Sequence, residues 1–447
     1  MARRLPSAGL ALALAVLAGG CGSTVQPLIH ASNTGPDPVL PAPAGRRLLP
    51  TMDIAPAVGW KAGAMPVPAV GFAVNAFARG LAHPRTLLVL PNGDVLVAET
   101  NAPQRPEEGR SLRGKVMGLV MKRAGAGVPS ADRITLLRDA DGDGVAETRS
   151  VFLSGLHSPF GMALVGDALY VADTDALLRF PYVDGAASID APGTRVVELP
   201  AGPRNHHWTK SLAASPDGRR LYVGVGSNSN VGENGMDEEA GRALVLEVDP
   251  AAGTSRVFAS GIRNPTALAF NPHDGTLWAV ANERDELGND LVPDYLTSVR
   301  EGAFYGWPYS YWGRHVDARV QPQDPALVAT AIAPDYALGS HVAALGLAFY
   351  EGDALPAHRR GGAFVGLHGS WNRKPPTGYQ VVFVPFAGGR PARAMEPVLT
   401  GFVDADGNAQ GRPVGVAIDR HGAVLVADDV GDTIWRITAG EATAPRR

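Results

Sequence analysis

The sequence predicts an all-β protein, a six-bladed β-propeller built from four-stranded antiparallel blades. Three observations predict it. One local pattern, a turn followed by a short hydrophobic strand ending in small or polar residues, recurs six times. Glycine and proline are abundant, at 54 and 37 of 447 residues, which favours turns and short strands over long helices. The pattern starts only after the first 60 residues, and a repeat of this kind overrides the usual allowance of about 100–200 residues per domain.

The six copies run in order along the chain. They are Pro91-Asn92-Gly93 before Val95-Leu96-Val97-Ala98, Gly166-Asp167 before Leu169-Tyr170-Val171-Ala172, and Pro216-Asp217-Gly218 before Leu221-Tyr222-Val223-Gly224. Then come His273-Asp274-Gly275 before Leu277-Trp278-Ala279-Val280, Arg360-Gly361-Gly362 before Ala363-Phe364-Val365-Gly366, and Arg420-His421-Gly422 before Val424-Leu425-Val426-Ala427. In most copies a second short strand precedes the turn, as in Leu87-Leu88-Val89-Leu90 and Ala267-Leu268-Ala269-Phe270. Two short strands around an Asn-Gly or Asp-Gly turn read as a hairpin. A four-stranded blade needs about 40–50 residues. The spacings from Val97 to Val171 and from Ala279 to Val365 exceed that most, so the largest loops are expected there. A β-sandwich or two unequal β-domains is the alternative; six copies of one pattern argue against it.

The chain ahead of the repeat has a different character. Residues 1–21 read as a signal peptide: Arg3 and Arg4 give the positive end, and Leu10 to Leu17 form an apolar run too short for a stable membrane span. Leu17-Ala18-Gly19-Gly20-Cys21 resembles a bacterial lipoprotein processing site, with Cys21 as the lipidated residue. The alternative is an ordinary cleaved signal followed by an incidental cysteine. Cys21 is the single cysteine, so an intrachain disulfide is excluded. Residues 22–60 are expected to be a flexible Pro/Ala/Gly-rich tether, and residues 61–447 the propeller. An anchor with several acyl chains would hold the protein at a membrane, exported to the periplasmic side or the cell surface. The net charge of -4, from 40 basic and 44 acidic residues, lacks the basic excess of a nucleic-acid partner.

The chemistry is expected on one face, where the chain crosses near the axis before each inner strand. The segments there are His83-Pro84-Arg85-Thr86, His157-Ser158-Pro159, Asn205-His206-His207-Trp208, Arg263-Asn264-Pro265-Thr266, Ser340-His341-Val342 and Gly411-Arg412-Pro413. A ring of His and Arg around a central pocket points to an anionic ligand. Glu99, Asp173, Asn228, Glu283, His368 and Asp428 follow the second strands. Carboxylates in Asn282-Glu283-Arg284-Asp285-Glu286 can bind a hard cation beside an anionic ligand, or simply pair with local arginines. Separately, Asp139, Asp141 and Asp143 alternate ahead of Glu147 as in the first part of a calcium loop. Ser150 stands where an EF-hand needs Glu, so the reading is divided between a structural calcium turn and a solvated acidic turn. Asp404-Ala405-Asp406-Gly407-Asn408 is a weaker version.

Over about residues 70–437 the chain resembles the glucose/sorbosone dehydrogenase family, soluble quinoproteins that use pyrroloquinoline quinone (PQQ). The resemblance rests on Asn205-His206-His207, Gly261-Ile262-Arg263-Asn264-Pro265, Asn282-Glu283-Arg284-Asp285 and Gly306-Trp307-Pro308. Gly369-Ser370-Trp371-Asn372-Arg373 with Pro376-Thr377-Gly378-Tyr379 is similar to the sorbosone-dehydrogenase-like branch. The resemblance implies a six-bladed propeller, in agreement with the repeat count. It implies a quinone lying flat over the central channel, with His207 as general base on a sugar hydroxyl and hydride passing to the quinone to leave a lactone or acid. Arg263 and Asn264 match the place beside the quinone carbonyl. His368, Arg373 and Arg412 match cationic contacts to quinone carboxylates. Calcium would be held by quinone atoms and by main-chain carbonyls after the strand ending in Glu283, near Asp285 and Glu286, where glucose-oxidising members carry a Gly-Pro pair.

These residue types suit that chemistry: the cofactor does the redox work, and a neutral histidine accepts a proton near pH 7. No Cys-x-x-Cys-His is present, so electrons must leave to an external acceptor, a quinone pool or a soluble carrier. Tyr305, Trp307, Tyr309 and Trp312 could stack on a sugar ring or serve as packing. Two rivals stand beside the dehydrogenase. One is a non-catalytic propeller lipoprotein that binds carbohydrate or protein, since fold alone does not decide function. The other is a calcium-dependent lactone hydrolase, which would need carboxylate and Asn side chains converging on the axis.

Overall fold

All six predicted hairpins form, and each grows into a four-stranded antiparallel blade in the computed structural model, which describes residues 25, 32–45, 51–103, 118 and 122–440. From the axis outward, blade one is Pro84–Val89, Val95–Glu99, Arg133–Arg138 and Thr148–Ser154. Blade two is Gly161–Val165, Ala168–Ala172, Ala176–Pro181 and Thr194–Glu198, and blade three is Lys210–Ala214, Leu221–Val225, Leu244–Asp249 and Thr254–Ser260. Blade four is Pro265–Phe270, Leu277–Ala281, Pro293–Ser298 and Tyr336–Ser340, and blade five is Ala344–Phe349, Ala363–Leu367, Gln380–Val384 and Glu396–Thr400. Blade six takes Pro413–Ile418, Val424–Asp428 and Thr433–Ala439 from the end of the chain, and its outer strand, Phe72–Arg79, from near the beginning.

The second strands explain the strength of the repeat. Val95–Glu99, Ala168–Ala172, Leu277–Ala281, Ala363–Leu367 and Val424–Asp428 are buried at every residue. A neighbouring blade covers each of their faces, so they read as continuous apolar runs bounded by turns. Apolar clusters fill the six gaps between blades. Leu96 and Ile134 meet Met162 and Leu169 between blades one and two, and Trp278 and Leu296 meet Leu347 and Val365 between blades four and five. Val95 and Leu137 meet Val414 and Leu425 between blades six and one, closing the ring. Each fully buried Val or Leu contributes roughly 1.5–3 kcal/mol. Outer strands such as Thr148–Ser154 are largely exposed and polar, which is why the sequence pattern fades there.

Both long insertions lie where the spacing placed them. One separates Val95–Glu99 from Arg133–Arg138 in blade one; the other, residues 299–335, separates the last two strands of blade four.

The predicted signal peptide and Cys21 lie outside the described residues. The stretch expected to be a flexible tether lies, in its described parts, against the propeller. Thr34–Gly35 adds a fifth strand to blade four by pairing with Ala337 and Leu338. Asn33 Nδ2 donates to Ser340 Oγ at 3.0 Å. Ala44 N donates to Leu287 O at 2.8 Å, and Trp60 Nε1 to Asp428 Oδ2 at 2.7 Å. The physical reason is the open edge: an outer strand presents unpaired backbone groups, and an extended segment satisfies them.

Candidate active site

The loops entering the inner strands and leaving the second strands share one face of the ring, and the predicted residues sit there in two networks that meet on blade five. The first joins blades one, five and six. Asp429 lies at its centre, with Arg85 Nη1 at 2.5 Å, His368 Nε2 at 3.0 Å and His83 Nε2 at 3.6 Å. These three hold the Asp429 carboxyl far below the usual carboxylate range, overcoming its burial. Burial pushes His368 down to about 4, so it stands neutral at pH 7 and donates its Nε2 hydrogen to Asp429. Asp429 stands outside the sequence motifs. It follows Asp428 directly, and side chains alternate faces along the chain: Asp428 turns between blades and Asp429 turns into the ring.

The second network joins blades three, four and five through the loop 226–230. His207 Nδ1 lies 2.7 Å from Ser227 O. A carbonyl only accepts, so Nδ1 carries the hydrogen and the ring lone pair of the neutral form is at Nε2. His206 is exposed, its ring edge-on to His207 at 5.7 Å. Arg263 is buried and spent on this loop and the next: Nε donates to Asn230 O at 3.1 Å, Nη2 to Asn230 Oδ1 at 3.1 Å and Nη1 to Glu283 O at 2.9 Å. Asn264 Oδ1 is buried without a hydrogen-bond partner, as is Asn282 Oδ1. A Cβ at Gly226 would overlap both Asn264 Oδ1 and His207 Cβ, so only glycine lets His207 and Asn264 approach across this loop.

Asp285 and Glu286, near which a cation was expected, have different surroundings. Asp285 Oδ1 accepts from Asn372 Nδ2 at 2.7 Å and faces His341 Nδ1 at 3.4 Å, while its carbonyl accepts from Arg319 Nη1 at 2.8 Å. His341, with Nε2 2.9 Å from Gly288 O, is raised: burial lowers it, but Asp285, Gly288 O and Asp294 together outweigh that. Asp285 is lowered, since His341, Arg263 and Asn372 together outweigh its own burial. Glu286 is exposed, in the left-handed region at φ 72. Glu283 pairs with the fully buried Arg284 at 3.0 Å, which also bridges to Asp317 at 3.3 Å. Of the two readings of this acidic stretch, the geometry favours pairing with local arginines.

Glu99, Asp173 and Asp428 clamp loops. Each accepts the backbone N–H of the segment entering its own blade: Glu99 from Ala82, Asp173 from His157 at 2.8 Å and Asp428 from Arg412 at 2.7 Å. Burial raises Asp173 to about 7 and Asp428 to about 6. Arg373 and Arg412 are likewise engaged. Arg373 reaches Asn289 O at 3.0 Å and Asp290 Oδ1 at 2.7 Å, whereas Arg412 Nη2 reaches Ala55 O at 3.3 Å and its guanidinium stacks 4.8 Å over Tyr379. His157 stands apart on an exposed pair with Asp175. Tyr305 and Trp307 are packing residues, their polar atoms bonded to Ser298 O and Asn230 O. Tyr309 and Trp312 are half-buried.

Away from this face, Asp139, Asp141, Asp143 and Glu147 each offer an oxygen, all within 4.8 Å of one another; it is the one such group among the described residues. These carboxylates also close their own turn, Asp139 accepting from Gly142 N and Gly144 N, Asp141 from Asp143 N and Asp143 from Val145 N; Asp404 does the same with the backbone of Asp406 and Asn408.

Fold and site together define a six-bladed propeller with a cationic, histidine-bearing loop face. Residues 172–370 match the family model described as Glucose / Sorbosone dehydrogenase, and residues 314–440 match one described as TrAA12-like. The resemblance read from the sequence is thus borne out at the level of the family; the sorbosone branch is not singled out. The PQQ-dependent pyranose dehydrogenase of Coprinopsis cinerea is 25% identical over 358 residues, which are 70% of this chain and 44% of that protein. The holo form of its PQQ domain superposes with a TM-score of 0.67 at 21% identity, covering 86% of this chain and 100% of that one. The calcium structure of a Trichoderma reesei carbohydrate-active enzyme of family AA12 gives 0.67 at 18% identity, covering 87% and 99%. These superpositions show the fold. The chain spans less than two thirds of the length of the curated relatives it matches.

Proposed function

We propose that the protein is a PQQ-dependent sugar dehydrogenase that oxidises an aldose or related sugar aldehyde to a lactone or acid. The observation that carries the reading is His207, fixed through Nδ1 against Ser227 beside Asn264 and Arg263 on the loop face of a propeller whose sequence relatives include a PQQ-dependent pyranose dehydrogenase. The residues fit an anionic, planar quinone. The face gathers Arg85, Arg263, Arg373, Arg412 and His341, whose positive charge suits an anionic ligand. Arg373 and Arg412 would hold it; His368, expected as a cationic contact, is neutral with its hydrogen given to Asp429 and would not. The bound quinone supplies the hydride acceptor. His207 takes the proton of the sugar hydroxyl at Nε2, and Ser227 O keeps the ring in the tautomer that can do so. Arg263, locked by Asn230 and Glu283 oxygens, would place fixed positive charge beside the quinone carbonyl. Electrons pass on to an external acceptor.

Of the two calcium positions the sequence raised, the acidic loop fits better. Four carboxylate oxygens at Asp139, Asp141, Asp143 and Glu147, each group also accepting a backbone N–H, are a hard-cation donor set, while at the Asp285 corner a guanidinium and an imidazole already take the oxygens. We assign a structural calcium to the loop. Residues 1–21 and Cys21 are proposed as an export signal and lipid anchor. Membrane fractionation of wild type and Cys21→Ser tests this: the variant is expected in the soluble fraction, and unchanged retention at the membrane would remove the anchor.

Reconstitution with PQQ and calcium, followed by assay of an artificial electron acceptor against a panel of aldoses, tests the enzyme. Turnover with at least one sugar is expected, and His207→Ala should lower kcat by about 100- to 10,000-fold with quinone binding retained. The engagement of Arg373 and Arg412 by protein acceptors favours the rival, a propeller that binds carbohydrate without catalysis. Calorimetry showing no quinone uptake, with no reduction by any sugar, would transfer the assignment to it.

A further inference from the structure

The excursion between the second and third strands of blade three carries a buried acid, Glu239, that the proposed chemistry does not use. It closes a short 3-10 turn, Met236–Glu239, and is only 5% exposed. Both of its oxygens point at the loop 226–230. Oε2 accepts from Asn228 N at 2.6 Å, and Oε1 accepts from the Ser229 hydroxyl. Ser229 Oγ in turn accepts from Gly232 N at 2.8 Å.

The other side of that loop faces the site. Ser227 O takes the hydrogen of His207 Nδ1, and Ser227 N donates to Arg263 O at 2.7 Å. Asn230 receives Arg263 through both its backbone and side-chain oxygens, and its Oδ1 also accepts Asp285 N at 2.9 Å. Trp307 Nε1 donates to Asn230 O at 2.9 Å. Three residues on from Glu239, Arg242 reaches the segment that enters the histidines: Nη1 donates to Asn205 Oδ1 at 3.1 Å and Nη2 to Ala201 O at 2.6 Å. The excursion therefore grips both strips of backbone that meet at His207, one through an acid and one through a base.

We propose that Glu239 is a positioning residue for the dehydrogenase chemistry: by fixing Asn228 and Ser229 it holds Ser227 O against His207 Nδ1 and Asn230 against Arg263. Glu239 touches no reacting atom. Its effect is transmitted through one loop, in which a shift of about 1 Å costs up to about 100-fold in rate. The inference rests on the dehydrogenase reading for its kinetic part only.

The test begins with the apoprotein. Nitrogen-15 NMR of histidine-labelled full-length protein, with His207→Ala for assignment, should show a hydrogen-bonded Nδ1–H at His207. Glu239→Ala should lose or broaden that signal. Glu239→Gln, which keeps an acceptor for Asn228 N and a donor for Ser229 Oγ, should retain it. If the Ala variant fails to fold, Glu239→Asp takes its place, since one methylene less cannot reach both partners. In the PQQ-loaded enzyme, Glu239→Ala or Asp should lower kcat by roughly 10- to 100-fold with KM changed far less, and Gln should restore most of it. An unchanged Nδ1–H signal in the Ala or Asp variant overturns the positioning role whatever the quinone does. Loss of signal in Gln equal to that in Ala overturns the hydrogen-bond account. A wild type that binds no quinone but loses the signal in Glu239→Ala sinks the dehydrogenase reading and leaves the positioning role standing.

Discussion

At the scale of single residues, His368 makes the stability of the site depend on pH. Its folded pKa is pushed down to about 4 by burial, against 6.5 for the free side chain. Between those values the unfolded chain takes up a proton that the folded protein refuses. The stability this histidine contributes is therefore complete above pH 6.5 and is lost as pH falls towards 4. Asp429 stays ionised throughout that window because its carboxyl lies well below it. His368→Gln keeps a donor towards Asp429 but does not titrate. Urea unfolding at pH 6.5, 5.5 and 4.5 should show the wild type losing stability more steeply than the variant, by up to about 1.4 kcal/mol per pH unit. Equal slopes would show that His368 does not titrate in this range. Cations on this face were legible in the sequence because the repeat marks where loops converge. Their partners were not. Asp429 and Asp294, the latter raised to about 7 by burial, matter through side-chain direction at blade junctions, which one sequence does not display.

At the scale of elements, the inner strands decide how closely blades approach. Gly346, in the inner strand Ala344–Phe349 of blade five, lies against the inner strand Pro413–Ile418 of blade six. A Cβ built on it would overlap the carbonyl oxygen of Val414, a backbone atom that cannot rotate away. Gly346→Ala must push the two blades apart. Overpacking of this kind costs about 1–3 kcal/mol, and the upper end is expected because backbone must move. Chemical denaturation of the variant checks it; a loss below about 0.5 kcal/mol would mean the blades slide without cost. Elements were recognisable in proportion to their burial. First and second strands carry apolar runs closed by Gly-bearing turns, so all six hairpins could be placed. Outer strands such as Thr194–Glu198 carry mixed, exposed residues and gave no pattern. The N-terminal segment misled for a related reason. Proline, alanine and glycine describe an extended chain, and composition does not distinguish one in solvent from one laid along a blade edge.

At the scale of the molecule, the ring depends on one strand from the front of the propeller. Phe72–Arg79 pairs along its whole length with Thr433–Ala439, and Gly440 N donates to Gly71 O at 2.9 Å. Without Phe72–Arg79, blade six would end on Thr433–Ala439, whose Ile434, Trp435 and Ile437 are fully buried. Closing the ring then requires contacts across almost the entire chain, which makes the last step entropically costly. Because residues 71 and 440 are neighbours and the two strands are antiparallel, the same pairing can be made locally. A chain beginning at residue 80 should fail to fold cooperatively and should bind dyes that report exposed apolar surface. Moving residues 71–79 to follow residue 440 through a short Asn-Gly turn converts the closure into a hairpin. That permuted chain should recover a single cooperative transition, even without the segment ahead of residue 71. Its thermal midpoint should still fall below that of the full protein, because the bonds of Asn33 to Ser340 and of Trp60 to Asp428 are gone. A permuted chain that remains unfolded would show that the N-terminal segment, and not closure of the sixth blade, is what completes the ring.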